Sequence, residues 1–184
     1  GVSIIHQIYF LQTGPFLSFI GIKDSSIGPA MTIGQFAEIA TMAYLGFFLK
    51  RLGFKKVITI GIMAYFARYA IFGTSILPAW VMVVSQAFHG FCFAFFFAAG
   101  FIYVDKLADD DVRHSAQTVF GIIIFGGGPV VGGWLSGKLQ EIYTVAGIFN
   151  YSNFWYTLAG MGLVTGILFF LFFNEQLKES TEKE

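Results

Sequence analysis

Long apolar stretches alternate with short polar segments along the chain. A helix rises about 1.5 Å per residue and a bilayer core is about 30 Å thick, so about 20 apolar residues are needed to cross it. Several stretches reach that length, and glycine, proline and charged residues separate them. The pattern predicts six transmembrane helices and a polar tail, at about 2–20, 27–50, 54–75, 78–104, 115–139, 151–173 and 175–184.

Two polar residues, Gln35 and Glu38, interrupt the second apolar stretch near its middle. They are three positions apart and therefore share one helix face. Glu38 would lie about 16 Å from the start of its helix, where a charged side chain costs roughly a few kcal/mol or more unless it faces protein or water. The pattern indicates a polar site near the membrane midplane, although a structural carboxyl group bonded to a neighbouring helix would give the same pattern.

The fourth stretch carries a second polar face, because Gln86, His89 and Phe93 follow helical spacing. His89 lies at a depth similar to that of Glu38. An isolated histidine in an apolar helix is often a core residue, but the shared depth favours a common site. Arg68 in the third stretch is expected to be structural, either reaching outward to the membrane surface or pairing inside the protein.

The fifth stretch contains four consecutive residues that weaken a helix: Gly126, Gly127, Gly128 and Pro129. Glycine has low helix propensity, and proline removes a backbone hydrogen bond. Two interpretations remain open for this run. It is either a close helix crossing, which small residues permit, or a hinge.

The composition identifies an integral membrane protein. The mean hydropathy is +0.71 and 12% of the residues are charged, compared with about 25% in soluble domains. The formal net charge is zero, so no nucleic-acid partner is predicted. The sequence has one cysteine, Cys92, and no zinc-binding, serine-protease or phosphate-loop motif. We therefore predict no metal, no cofactor and no enzymatic activity.

Basic residues predict the orientation of the chain in the bilayer. With six helices and a cytoplasmic tail, the basic residues on the inner side are Lys50, Arg51, Lys55, Lys56, Lys106, Arg113, Lys178 and Lys183. The outer side carries Lys23 and Lys138. The positive-inside rule therefore predicts a cytoplasmic C-terminus. Because the sequence starts with Gly1 inside an apolar stretch, we expect it to be part of a longer protein.

A family resemblance rests on four segments. Gly-Phe-Phe-Leu-Lys-Arg-Leu-Gly-Phe-Lys-Lys at 46–56 resembles the loop between the second and third helices of a major facilitator half. Together with Gln35-x-x-Glu38, Ile-Tyr-Val-Asp-Lys at 102–106 and Val-Arg-His-Ser-Ala-Gln at 112–117, it resembles the nucleoside:proton symporter family of that superfamily. The resemblance implies an all-α membrane fold, in which these six helices form the C-terminal half of a twelve-helix transporter in a bacterial inner membrane.

The resemblance also implies a site. Its ligand-contacting positions fall on Gln7, Gln35, Glu38, His89 and Phe93, with hydrogen bonds from the polar groups and base stacking by the phenylalanine. Glu38 or His89 would carry the coupled proton. The partners implied are a nucleoside, protons, the lipid bilayer and a missing N-terminal half.

This chain departs from the family pattern at three positions. The family has tyrosine where this chain has His89, often aspartate where it has Ala94, and asparagine where it has Phe10. Two alternatives to nucleoside symport remain. One is a major facilitator transporter of a sugar or another polar metabolite, and the other is a self-contained six-helix channel or scaffold.

Overall fold

The computed structural model describes residues 1–74 and 77–176. Most of the predicted tail and the end of the predicted third helix, at 75, lie outside the described residues. The described chain forms five helical segments and a short hairpin of strands β1 (Thr144–Val145) and β2 (Ile148–Phe149). The helices are α1 (Val2–Phe19), α2 (Asp24–Gly73), α3 (Ala79–Leu107), α4 (Arg113–Tyr143) and α5 (Tyr151–Phe172).

Helix α2 consists of two arms that meet at Gly53. The backbone there has φ 75° and ψ 169°, a conformation that glycine adopts without a Cβ clash. The first arm covers 24–52 and the second arm covers 54–73. Glu175, which follows α5, accepts a hydrogen bond from the backbone N–H of Lys55 at 3.2 Å. The carboxylate of Glu175 therefore caps the start of the second arm.

Two of the helices contain a wider turn. Residues Phe93–Ala98 of α3 and Ile122–Gly127 of α4 are π-helical. A π segment inserts an extra residue into one turn and rotates the faces that follow it. Among the described residues, four helices are long and apolar enough to cross a membrane: α2, α3, α4 and α5.

The second arm of α2 lies at the centre of the packing, between α3 and α5. Glycines allow the close approach on both sides. A Cβ added at Gly61 would lie 2.9 Å from the carbonyl carbon of Phe95, and one added at Gly162 would lie 3.2 Å from the backbone nitrogen of Phe66. Small residues at helix crossings are typical of membrane proteins, because they let backbones approach. Helix α1 packs mainly against α4.

The Gly126–Pro129 run lies inside α4 and keeps helical backbone angles at Gly127 and Gly128. A Cβ at Gly128 would overlap the side chain of Ser3 on α1, whereas among the described residues nothing lies within 4 Å of a Cβ at Gly126 or Gly127. Gly128 therefore has a packing role. The hinge interpretation of the run stays a prediction.

Candidate functional site

Three ionisable residues line up where both arms of α2 meet α3. His89 on α3 lies between the other two: its Nε2 is 3.6 Å from Oε2 of Glu38 on the first arm. Its Nδ1 is 3.2 Å from Nη1 of Arg68 on the second arm. One imidazole therefore connects a carboxylate to a guanidinium across three helical segments.

The partners of His89 define where its proton lies. A guanidinium carries only donors, so the contact with Arg68 requires Nδ1 of His89 to accept. A neutral imidazole has one N–H, which is then on Nε2 and faces Glu38. The separation of 3.6 Å between His89 and Glu38 is an ion-pair distance but is longer than a hydrogen bond.

Arg68 is completely buried, and three tyrosine rings surround its guanidinium. The guanidinium carbon lies 3.8 Å from the ring centre of Tyr9, 5.2 Å from that of Tyr69 and 5.5 Å from that of Tyr65. Such cation–π contacts replace part of the water that a buried cation loses. Of the two arrangements expected for Arg68, the structure has internal pairing, and outward reach to the membrane surface is wrong.

Helix α1 adds a ring stack to the other side of His89. The rings of His6 and His89 are stacked, with centroids 5.5 Å apart and planes 14° apart, and Tyr9 stacks on His89 at 5.3 Å. The hydroxyl of Tyr9 donates to Oε1 of Gln86 at 2.8 Å, and the hydroxyl of Tyr65 lies 2.6 Å from Nδ1 of His6. The imidazole of His89 is therefore held by two stacked rings and by the contact of its Nδ1 with Arg68.

The structure places the predicted site residues in different surroundings. Glu38 and His89 are brought together, and the ring of Phe93 lies 6.4 Å from that of His89. Gln35 is exposed on the same face of the first arm as Glu38. Gln7 is half-buried and lies toward α4, where a Cβ at Gly132 would come within 2.8 Å of its own Cβ.

The three positions that depart from the family pattern all lie on α1 or α3. Ala94 is completely buried and adds no polar group, whereas Phe10 is exposed and packs edge-on against His89 with centroids 5.6 Å apart. In the row formed by Glu38, His89 and Arg68, Glu38 is the partly exposed residue: its side chain is 20% exposed, whereas that of His89 is 3% exposed. Of the three ionisable residues, Glu38 is therefore the most accessible.

The sequence did not identify four contributors to this site, and it assigned a fifth, Arg68, a structural role only. The four are His6, Tyr9, Tyr65 and Tyr69. A signal for them exists. His6 and Tyr9 are three apart, as are Tyr65 and Arg68, so each pair shares a helix face. In the described part of the chain, no group of three or more His, Cys, Asp or Glu residues could hold a metal ion.

Comparisons with known proteins agree on one family. A family model described as nucleoside H+ symporter matches residues 2–178. The nucleoside permease NupG of Escherichia coli is 33% identical over 177 residues, which cover 95% of this chain and 41% of the permease. The xanthosine permease of the same organism is 29% identical over 177 residues, again 95% of this chain and 41% of the relative.

The fold comparison gives the same result. A crystal structure of a mutant of the nucleoside transporter NupG superposes with a TM-score of 0.81 at 30% identity, over 94% of this chain and 47% of that one. The chain thus spans between two fifths and half of the length of the relatives it matches.

Proposed function

Because the chain belongs to the nucleoside H+ symporter family, we propose that it forms one half of a twelve-helix major facilitator transporter that moves a nucleoside together with a proton. The family and the relatives are transporters rather than enzymes, which favours this function over a six-helix channel or scaffold. The partial coverage of the relatives supports a second, N-terminal half that completes the transporter. Alternating access would then rock the two halves around a shared midplane site.

Six membrane crossings require that each arm of α2 crosses separately. A straight helix of the 50 residues of α2 would be about 75 Å long, more than twice a bilayer core of about 30 Å. The turn at Gly53 divides it into two lengths that each span the core. Lys50, Arg51, Lys55 and Lys56 flank this turn. This cluster supports a cytoplasmic location for the turn and the C-terminus, in the inner membrane of a bacterium.

The observation that carries the site proposal is the partly exposed carboxylate of Glu38, 3.6 Å from Nε2 of His89. In the proposed binding mode, Glu38 and the neighbouring Gln35 hydrogen-bond the hydroxyls of a ribose, and His89 donates from Nε2. Phe93, next to His89, stacks on the base. Gln7, which lies on α1 toward α4, is the remaining candidate contact for the nucleoside. Glu38 and His89 are the two candidates for the coupled proton.

The test is uptake by the full-length transporter in proteoliposomes, with and without an inward proton gradient. Uridine, adenosine, xanthosine and a disaccharide are compared side by side. We expect gradient-driven, saturable uptake of at least one nucleoside and none of the disaccharide. Uptake of the disaccharide alone would assign the protein to the sugar alternative. The 184-residue chain reconstituted by itself should transport nothing, and saturable uptake by it would support a self-contained six-helix protein.

A further inference from the structure

The buried guanidinium of Arg68 has no role in the proposed binding mode, yet it contacts a central residue of the site. We propose that Arg68 is a positioning residue that holds His89 as the neutral Nε2–H tautomer, so that Glu38 alone carries the coupled proton. The statement that Glu38 carries the coupled proton rests on the proposed symport function. The tautomer of His89 is a property of the folded protein and is tested separately.

The geometry restricts what Arg68 can do. Its guanidinium lies 3.8 Å from the ring centre of Tyr9 and is enclosed by two further tyrosines of its own helix. Nη2 is 3.5 Å from the hydroxyl of Tyr69, which itself donates to the carbonyl oxygen of Ile5 at 2.8 Å. This set of contacts directs Nη1 at Nδ1 of His89 from a fixed position.

Protonation of His89 is blocked by that arrangement. A second proton on the imidazole would go to Nδ1, because Nε2 already carries one. An N–H at Nδ1 would then face the N–H groups of Arg68 at 3.2 Å, with two donors and two positive charges in contact. Neither side chain has room to turn away, since Arg68 is completely buried and His89 is 2% exposed.

The carboxylate of Glu38 has no such conflict. It accepts a proton at a carboxylate oxygen and becomes a neutral acid, while His89 and Arg68 keep their protons and their contact. Release of the same proton restores the carboxylate, so one proton is bound and released per cycle. The titratable groups around His89 are His6 and Tyr9 from α1, Glu38 from the first arm, and Tyr65, Arg68 and Tyr69 from the second arm.

Among the described residues, Glu38 is the sole carboxylate within 4 Å of a basic group in this cluster. The other histidine, His6, already shares a 2.6 Å hydrogen bond with the hydroxyl of Tyr65 through Nδ1. Of the groups in this cluster, Glu38 is therefore the one that can exchange a proton with the partly open side of the site, and neither histidine does so.

The decisive measurement is ¹⁵N NMR of full-length protein labelled at histidine and held in lipid nanodiscs. The His89 signals are assigned by their loss in His89→Gln. We expect an Nε2–H signal and an unprotonated Nδ1 signal that stay unchanged between about pH 5 and pH 8, the range in which an ordinary histidine titrates. A wild-type His89 protonated at Nδ1, or titrating in that range, overturns the proposal without any variant.

Two variants of Arg68 test whether this residue sets the tautomer of His89. Arg68→Met removes every donor and should make His89 titrate or populate the other tautomer, whereas Arg68→Lys should restore the Nε2–H form in part. Arg51→Met is the matched control, because Arg51 is exposed and its guanidinium also lies on a ring, 4.7 Å from the centre of Phe47. An unchanged His89 tautomer in folded Arg68→Met would show that Arg68 does not set it.

Transport measurements test the proton role of Glu38 separately from the tautomer of His89. In Arg68→Met we expect the KM for the nucleoside to rise by about 10- to 100-fold, by analogy with the loss of a group that orients a metal ligand, and in Arg68→Lys we expect a smaller rise. His89→Gln should bind more weakly but still concentrate substrate on a proton gradient. Loss of gradient coupling in His89→Gln would assign the proton to His89. Wild-type protein that transports no nucleoside would defeat the symport function, and the tautomer measurement would still stand.

Discussion

Replacing Glu38 with glutamine removes the charge and the titrating proton of the site while keeping the shape of the side chain. In the structure, the carboxylate is 20% exposed, and its nearest basic atom, Nε2 of His89, lies 3.6 Å away. That distance is too long for a hydrogen bond, so the carboxylate can still accept from a ligand. Glutamine keeps the volume of the side chain, so the main effect of Glu38→Gln should be on binding and coupling. The loss of the charge that balances buried Arg68 should lower the stability as well.

The expected size follows from the bond that is weakened. A hydrogen bond to a charged group contributes about 1.5–3 kcal/mol, and the neutral amide recovers part of it. Full loss corresponds to about 10- to 150-fold weaker nucleoside binding, at about 1.4 kcal/mol per factor of ten. If Glu38 instead carries the proton and binds substrate as the protonated acid, the affinity should change little, and the variant should fail to concentrate substrate on a proton gradient. Exchange of labelled for unlabelled nucleoside should survive, because exchange needs no net proton movement.

The assay measures nucleoside affinity, gradient-driven uptake and exchange in proteoliposomes of equal protein content. Glu141→Gln is the matched control: its carboxylate lies at the far end of α4, is 72% exposed and pairs with Lys138 at 2.9 Å. This control should behave like the wild type in all three measurements. Wild-type affinity together with wild-type concentrative uptake in Glu38→Gln would refute both the binding and the proton role of this residue.

Three further outcomes are expected. Gly128→Ala should lower the melting temperature, because its Cβ would overlap the side chain of Ser3. Gly127→Ala should fold normally, because nothing among the described residues lies within 4 Å of its Cβ. If the run is a hinge, Gly127→Ala should reduce turnover at unchanged affinity, because alanine favours the helix by about 1 kcal/mol. Glu175→Ala should destabilise the protein by about 0.5–2 kcal/mol in thermal unfolding through loss of the cap on the second arm of α2, and an unchanged stability would remove that role. In intact cells, an impermeant thiol reagent should label Val145→Cys and not Lys56→Cys in a cysteine-free background, and the opposite pattern would reverse the topology.

The family and the membrane character could be predicted from the sequence, and the comparisons confirm both. Hydropathy identifies long membrane segments because every backbone group in a bilayer must be bonded within its own helix. The family followed from four short motifs, one of which, Gln35-x-x-Glu38, lies in the middle of a membrane segment, while the others lie at the turn at Gly53 or near helix ends. Neither signal requires knowing which helices are neighbours.

The pairing of helices is what the sequence could not provide. Periodicity places Gln35 beside Glu38 and Tyr65 beside Arg68, because each pair lies on one helix. It does not state that His89 lies between Glu38 and Arg68, since those contacts join three segments separated by many residues. Most of the surface of a membrane helix is hydrophobic, so the few polar positions show a shared face but not which helix lies against it.

Local helix geometry is the second reason why the sequence did not predict the whole site. The prediction for α3 assumed regular spacing from Gln86 onward, but residues Phe93–Ala98 are π-helical. Residues Ser85–Ala87 form a 3₁₀ turn, so regular α-helical spacing before the π segment covers only Phe88–Cys92, which brings His89 and Phe93 to one side. Within the π segment, Phe97 packs against Phe93 and His6, with ring centroids 5.4 Å and 4.7 Å apart. A π segment has no sequence signature as clear as that of a proline kink, so its effect on the site had to be observed.

The charges of the site explain why Glu38 and Arg68 belong together although they do not touch. A guanidinium without water is costly unless it is paired, and the ring contacts of Arg68 offset only part of that cost. With Glu38 ionised, the opposite charge stands one imidazole away and the cluster is neutral. When Glu38 takes up a proton, the positive charge of Arg68 is left uncompensated, which opposes proton binding in the empty site. Symport requires that proton and substrate bind more favourably together than apart, so the nucleoside must gain more from the protonated acid than from the carboxylate, for example by accepting a hydrogen bond from its O–H.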